Sequence, residues 1–342
     1  MANTTENMKR IRFLYLDHEH ATPLLRASEY MRTKQGVELE AAYTNSIEEV
    51  MRYASDPLDG MLIHHQLACD GVFECHRPVM LLERIDGAQL ESRRWLDQAA
   101  GVVKAYRLNP LELHNRYKGR ASAHLLSESG VEVENSCAWT GYPQPQLSSE
   151  QLARIHLGYG FGAYTKMDRP RQQLVDFASP REYGCCFHGF VEYNKTEIEH
   201  HRRAALAAVE ALQGSFNAPC GAGRPLRPDE YLGTMFRSKS VLSPWGWGEA
   251  AHRDYEAMLL GAVVIKPSMD HVACWPDVYV PNETYLPCKL DFSDLPELVG
   301  RVVADWDSFR PMRERARAAA MMAGDPARVA RRFADIFEAC GC

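Results

Sequence analysis

The stretch that decides the fold is SKSVLSPWGWGEAAHRDYEAMLLGAVVI, Ser238 to Ile265. Ser240 to Ser243 reads as a buried strand that stops at Pro244. A loop with two tryptophans and two glycines follows, and then a helix that starts near Glu249 or Ala250 and runs to Leu260. Gly261 ends it, and Ala262 to Ile265 is apolar throughout, as a parallel strand covered on both faces must be. Strand, glycine turn, helix and strand in that order form a crossover unit. The amides at such a helix start, with the dipole behind them, make an anion site. Gly246 and Gly248 would let backbone approach a ligand, and Trp245 or Trp247 would stack on a base or sugar ring. Arg253 and Glu256 are three apart and share a helix face, a cation for a pyrophosphate beside a carboxylate for hydroxyls.

Outward from that unit the alternation continues. Tyr183 to His188 is a strand ending at Gly189, Lys195 to Leu212 and Pro228 to Arg237 are helices, Leu295 to Trp306 is a helix, and two more break at Gly324-Asp-Pro326. Upstream, strands are expected at Ile11–Leu16, Val37–Tyr43, Met61–His64, Pro78–Glu83 and Val102–Arg107. Helices are expected at Thr22–Gln35 and, with Ser46 and Glu49 as a capping box, over 46–54. Residues 110–180, rich in Gly, Pro, Tyr and Gln, read as loops. The 342 residues therefore divide into a Rossmann-like domain over 1–170 and a second over 171–342, with the last helices returning to the first. The fold class is α/β, two Rossmann-like α/β/α domains facing each other across a cleft. No G-x-G-x-x-G follows the first strand, which disfavours a dinucleotide dehydrogenase.

Composition narrows the partners. A net charge of −6 disfavours nucleic acid. No apolar run is long enough to cross a bilayer and the first ten residues lack an apolar signal core, so the expected location is the cytoplasm. The ten cysteines form no C-x-x-C pair. His64 and His65, adjacent on a strand, point to opposite faces and would not share a zinc ion. Asp305-Trp-Asp307 lies far past the glycine loop and reads as solvated surface. Arg310, Arg313, Arg315, Arg317, Arg328, Arg331 and Arg332 would suit peripheral contact with an anionic membrane, although a solvated helix face is the plainer reading.

Ser238, Lys239, Leu242, Pro244, Gly246, Gly248, Arg253, Glu256, Ala257 and Gly261 together resemble the C-terminal half of GT-B glycosyltransferases, especially exostosin-like and related bacterial enzymes. The bulky Trp245 and Trp247 depart from that pattern. The resemblance implies a transferase moving a sugar from a nucleotide diphosphate sugar to a hydroxyl of a glycan, lipid-linked glycan or small molecule, with neither cofactor nor metal. It places Arg253 on the donor diphosphate, Glu256 on ribose or sugar, and the turn Phe187-His188-Gly189 near the donor. The expected donor-binding set is His188, Gly189, Lys239, Ser243, Trp247, Gly248, His252, Arg253 and Glu256. An inverting enzyme also needs a base from the first domain. Asp17, His18 and His20 follow its first strand, His64 and His65 its third, and Glu83 and Asp86 its fourth; Asp86, Asp17 and His18 are the preferred candidates. Rival readings are a nucleotide-sugar epimerase, a transferase modifying DNA bases, and a non-catalytic nucleotide-sugar-binding partner.

Overall fold

The computed structural model describes residues 8–83, 87–117, 120–131, 146–223 and 226–342. In chain order the first part contains β1 (Lys9–Tyr15), α1 (His18–Tyr30), β2 (Val37–Tyr43), α2 (Ile47–Ala54), β3 (Gly60–His64), β4 (Val79–Leu82), β5 (Gly101–Lys104), β6 (Tyr106–Leu108), α3 (Ala121–Glu128) and β7 (Ile155–Leu157). The second contains β8 (Tyr183–His188), α4 (Thr196–Glu210), β9 (Cys220–Gly221), α5 (Pro228–Arg237), β10 (Ser238–Leu242), α6 (His252–Leu259), β11 (Val263–Pro267), β12 (Val272–Cys274), β13 (Leu286–Cys288), α7 (Leu295–Ala304), α8 (Arg310–Ala323) and α9 (Pro326–Ala339).

One sheet runs β2-β1-β3-β4-β5-β7 and the other β13-β11-β10-β8-β9. Every pairing within them is parallel. Counted from its own first strand, the first sheet runs 2-1-3-4-5-6 and the second 2-1-3-4-5, the doubly wound order. Such a sheet has a crevice where the winding reverses, outside the C-terminal ends of its first and third strands. Those ends are β1 and β3 in the first domain and β8 and β10 in the second.

Three local differences from the sequence reading matter. The run 102–107 does not continue as one strand: β5 stops at Lys104, and β6 pairs antiparallel with β12, Val272 opposite Leu108 and Cys274 opposite Tyr106. That ribbon ties the two domains together. β7 falls inside the region read as loops, too short to carry a period of its own. The first helix starts at His18, because the Asp17 side chain accepts the amide of His20 and caps it there; past Tyr30 it widens into a π-helical turn that Gly36 closes at φ +66°.

One hydrophobic cluster runs through both domains. It joins Phe13 and Met80 of the first sheet to Tyr106, Phe161 and Tyr164, then to Tyr255, Met258 and Val264 of the second domain and Phe333 of α9. Helix α9 lies against α1. Two satellite clusters fill the far face of each sheet, one around Phe187, Leu242 and Val299, the other around Leu14, Ile63 and Trp95. No described helix is long and apolar enough to cross a membrane.

Candidate functional site

A pocket of about 260 Å³ opens at the winding reversal of the second sheet, lined by His188, Gly189, Phe190, Tyr193, Arg202, Tyr231 and Arg253 among others. Two of its walls are guanidiniums. Arg253, on the first turn of α6, donates from Nη2 to the carbonyl of His188 at 2.7 Å. Arg202, from α4, donates from Nε to the carbonyl of Phe190 at 2.5 Å. Only 7% of Arg253 and 6% of Arg202 is exposed. Both lie against the Phe187 ring, 4.8 and 5.7 Å from its centroid, which offsets part of their desolvation. Neither makes an ion pair among the described residues, whereas buried cations are ordinarily paired. Burial, with Arg253 adding to it, pulls Arg202 down to about 10, and burial also lowers His188 beside Arg253. Gly189 separates the two cations: a Cβ there would lie 2.5 Å from Arg253 Nη2 and 2.7 Å from Arg202 Nη2.

Glu256, one turn on from Arg253, accepts the Tyr231 hydroxyl at 3.0 Å. Burial raises its carboxyl above the ordinary glutamate range, and the Tyr231 bond and the nearby Arg253 oppose that rise. Trp247 is exposed and lies edge-on to Tyr193, a residue of the pocket wall, at 6.1 Å. Of the expected donor residues, His188, Gly189 and Arg253 line the pocket, while Glu256 and Trp247 stand behind its wall residues Tyr231 and Tyr193. Arg202 and Tyr231 were missed. A signal for Arg202 existed: Glu197, His201 and Arg202 interrupt the buried face that α4 otherwise fills with Ile198, Ala205 and Val209.

The remaining donor candidates lie elsewhere. Lys239 sits near the opposite, N-terminal end of β10; its Nζ donates to the Val303 carbonyl at 3.2 Å and faces the Trp306 ring. Three residues, roughly 10 Å of strand, separate it from the C-terminal end of β10, and its ammonium is engaged at Val303 and Trp306 rather than at this pocket. Ser243 is fully buried and its amide continues the sheet to Ile265. Gly248 is buried and its carbonyl accepts the Gly246 amide. His252 stacks on Phe161 at 4.3 Å, against the first domain.

The helix start also differs from expectation. α6 begins at His252, and its own Asp254 caps it, accepting the Ala251 amide at 3.0 Å while pairing with Lys266 at 2.5 Å and receiving the Tyr279 hydroxyl. The positive end of α6 is therefore answered from inside the domain. The two guanidiniums, rather than the helix dipole, give the pocket its positive charge.

Across the gap, Asp17 Oδ1 lies 2.8 Å from His20 Nδ1. That contact favours the tautomer with its proton on Nδ1 and Nε2 as acceptor. The His20 ring lies 5.7 Å from Tyr164, and Tyr164 lies 5.6 Å from His252, so the pair at the end of β1 is linked through one ring to the residue preceding Arg253. Asp17 is thus a helix cap and the partner of His20. His18 is exposed and stacks on Tyr43, 6.2 Å away. His64 is buried and takes the Leu16 amide on Nδ1. Glu83 is buried in a pair with Lys104 at 2.5 Å. Asp86 lies outside the described residues.

No known family model matches the chain, and no curated protein matches it. Among solved structures, a glycosyltransferase from Rickettsia africae ESF-5 is similar over 98% of this chain and 99% of its own, at 9% identity and a TM-score of 0.53. A sucrose-phosphate synthase from Thermosynechococcus elongatus covers 96% and 98% at 10% identity, with a TM-score of 0.48. A UDP-GlcNAc 2-epimerase from Neisseria meningitidis, bound to UDP-GlcNAc, covers 94% and 98% at 10% identity, with a TM-score of 0.44. The fold is that of two Rossmann-like domains of the GT-B type.

Proposed function

We propose that this chain is a glycosyltransferase that takes a nucleotide diphosphate sugar in the Arg202–Arg253 pocket and passes the sugar to a hydroxyl acceptor held by the first domain. One observation carries the reading: two buried guanidiniums, unpaired among the described residues, converge on Gly189 at the winding reversal of the second sheet. Desolvated like charges side by side are costly, and a diphosphate bridging them removes the cost. The missing side chain at Gly189 leaves the space for it. Glu256, shielded and held by Tyr231, suits the ribose hydroxyls. Phe190 and Tyr193 offer flat apolar surface to the base.

His20 is the proposed base. As the acceptor oxygen attacks the anomeric carbon, its proton passes to His20 Nε2. The bond to the diphosphate breaks with its electron pair on the phosphate oxygen, where Arg202 and Arg253 neutralise the charge, and the anomeric configuration inverts. The reaction needs no metal in this reading and should persist in chelator. A glycan, lipid-linked glycan or small molecule remains the acceptor class.

A thermal-shift panel of nucleoside mono-, di- and triphosphates and nucleotide sugars tests the reading. A diphosphate at about 100 times its dissociation constant should add about 2.7 kcal/mol of stability, and monophosphates less. Failure of every nucleotide to stabilise the chain would refute the donor site. Consumption of a nucleotide sugar without any acceptor would point to an epimerase instead. Tight binding with no turnover would point to a non-catalytic partner.

A further inference from the structure

The glycine loop of the second domain sends one side chain into the first. Glu249 is 1% exposed. Its Oε1 accepts the amide of Ser122 at 3.0 Å, at the start of α3, and its Oε2 accepts the amide of Ala88 at 3.2 Å. Ala88 is two residues past Asp86. The Glu249 carbonyl is meanwhile held by Lys266 at 2.8 Å, the same ammonium that pairs with Asp254 under the first turn of α6. The loop is thus fixed at one end to the helix carrying Arg253 and at the other to two separate segments of the first domain. Among the described residues no ion pair involves the carboxylate; Arg120, two residues before Ser122, pairs with Glu197 of α4 and lends Glu249 a favourable charge from beyond pairing distance. A buried carboxylate outside any ion pair is costly, and here each of its oxygens is answered by one backbone amide from the first domain.

We propose that Glu249 is a positioning residue that sets the acceptor-side segment 87–89 and the start of α3 from the donor-side loop, so that filling the Arg202–Arg253 pocket is felt at Ala88 and Ser122. The coupling rests on the donor reading above; the strut does not. Glu249→Gln is close to isosteric but carries one acceptor oxygen, so one of the two amides then faces an NH₂ group.

The experiment is residue-resolved amide exchange on the full chain. In the unliganded protein, Glu249→Gln should speed exchange at Ala88 or Ser122 by about tenfold or more, and Glu249→Ala at both. Saturating UDP should slow both amides in the wild type. It should leave them unmoved in Glu249→Gln, even though UDP affinity stays within about threefold, a split that a merely structural residue would not produce. Wild-type exchange at both amides in both variants overturns the strut. Equal slowing by UDP in wild type and Glu249→Gln overturns the coupling. If UDP, ADP, GDP and dTDP bind neither protein, the donor reading fails and the coupling with it, while exchange in the unliganded chains still decides the strut.

Discussion

Two guanidiniums that share one pocket and lean on one ring cost the empty protein stability, and that cost is the clearest prediction at the scale of single residues. Replacing Arg202 with Met removes one of two buried like charges, keeps most of the apolar stem, and should raise stability by about 1 kcal/mol in a urea titration while binding of nucleoside diphosphate weakens about 10- to 100-fold. A destabilised Arg202→Met would mean that the charge is satisfied within the protein and that no anion is needed. Gly189→Ala separates space from charge. The new methyl would meet only the far ends of two flexible side chains, 2.5 and 2.7 Å away, so the fold should survive. Diphosphate affinity should fall by about tenfold or more as the guanidiniums are pushed apart, since roughly 1.4 kcal/mol suffices. Glu256 gives a pH signature. Burial raises its carboxyl, so the folded chain binds a proton over a window above the ordinary glutamate value in which the unfolded chain does not. The stability it lends is present below that window and is lost as pH rises through it. Melting temperatures of wild type and Glu256→Gln should therefore diverge on going from acid to neutral pH, with the variant the more stable at neutral pH. Parallel curves would place the carboxylate in a solvated setting.

At the scale of elements, α1 makes the cap and the base compete for one carboxylate. Asp17 binds both the backbone amide and the ring nitrogen of His20. Asp17→Ala should cost about 1 kcal/mol for the lost cap, whereas Asn caps as well as Asp does. Asp17→Asn should then keep its melting temperature yet lose transfer activity by about 10²-fold or more, the scale of a displaced general base. Unchanged activity in Asp17→Asn would remove His20 from the mechanism. This residue also marks how far the sequence could be read. Buried strands such as β3 and β11 announce themselves by continuous apolar runs, and the order of strands and helices around Arg253 was legible for the same reason. Asp17 after the first strand is open to two readings in the sequence, base or cap, because one letter serves both roles; in the structure it caps α1 and holds the His20 ring. Lys239 was misplaced because a strand's two ends lie in different surroundings though they are adjacent in sequence. β6 could not be foreseen as a ribbon: three residues carry no period, and its partner at Val272 lies far along the chain. Arg202 and Tyr231 come from helices outside the glycine loop, and only packing brings them beside Arg253.

For the molecule as a whole, the seam between the domains is built like an interior. Tyr106 donates its hydroxyl toward that of Tyr255 at 3.4 Å and receives the Phe161 amide at 3.1 Å, and Phe161 stacks on His252. Around them a single apolar cluster continues from Phe13 to Val264 and Phe333. Domains joined through small polar interfaces move and melt separately, but a large apolar seam couples them. Heating should therefore give one transition, with a calorimetric enthalpy equal to the van't Hoff value, rather than one for each sheet. Phe161→Ala probes the coupling directly. The ring is 2% exposed and belongs to the first domain's side of the seam, yet its loss should lower the stability of the entire chain by about 3 to 5 kcal/mol. Far-UV circular dichroism, which reports both sheets, and tryptophan fluorescence should shift together to lower denaturant with an unchanged slope. Two transitions in the wild type, or a variant in which only one of two signals moves, would show that the domains are independent bodies. A ligand would then meet a gap that opens and closes rather than one set by a shared core.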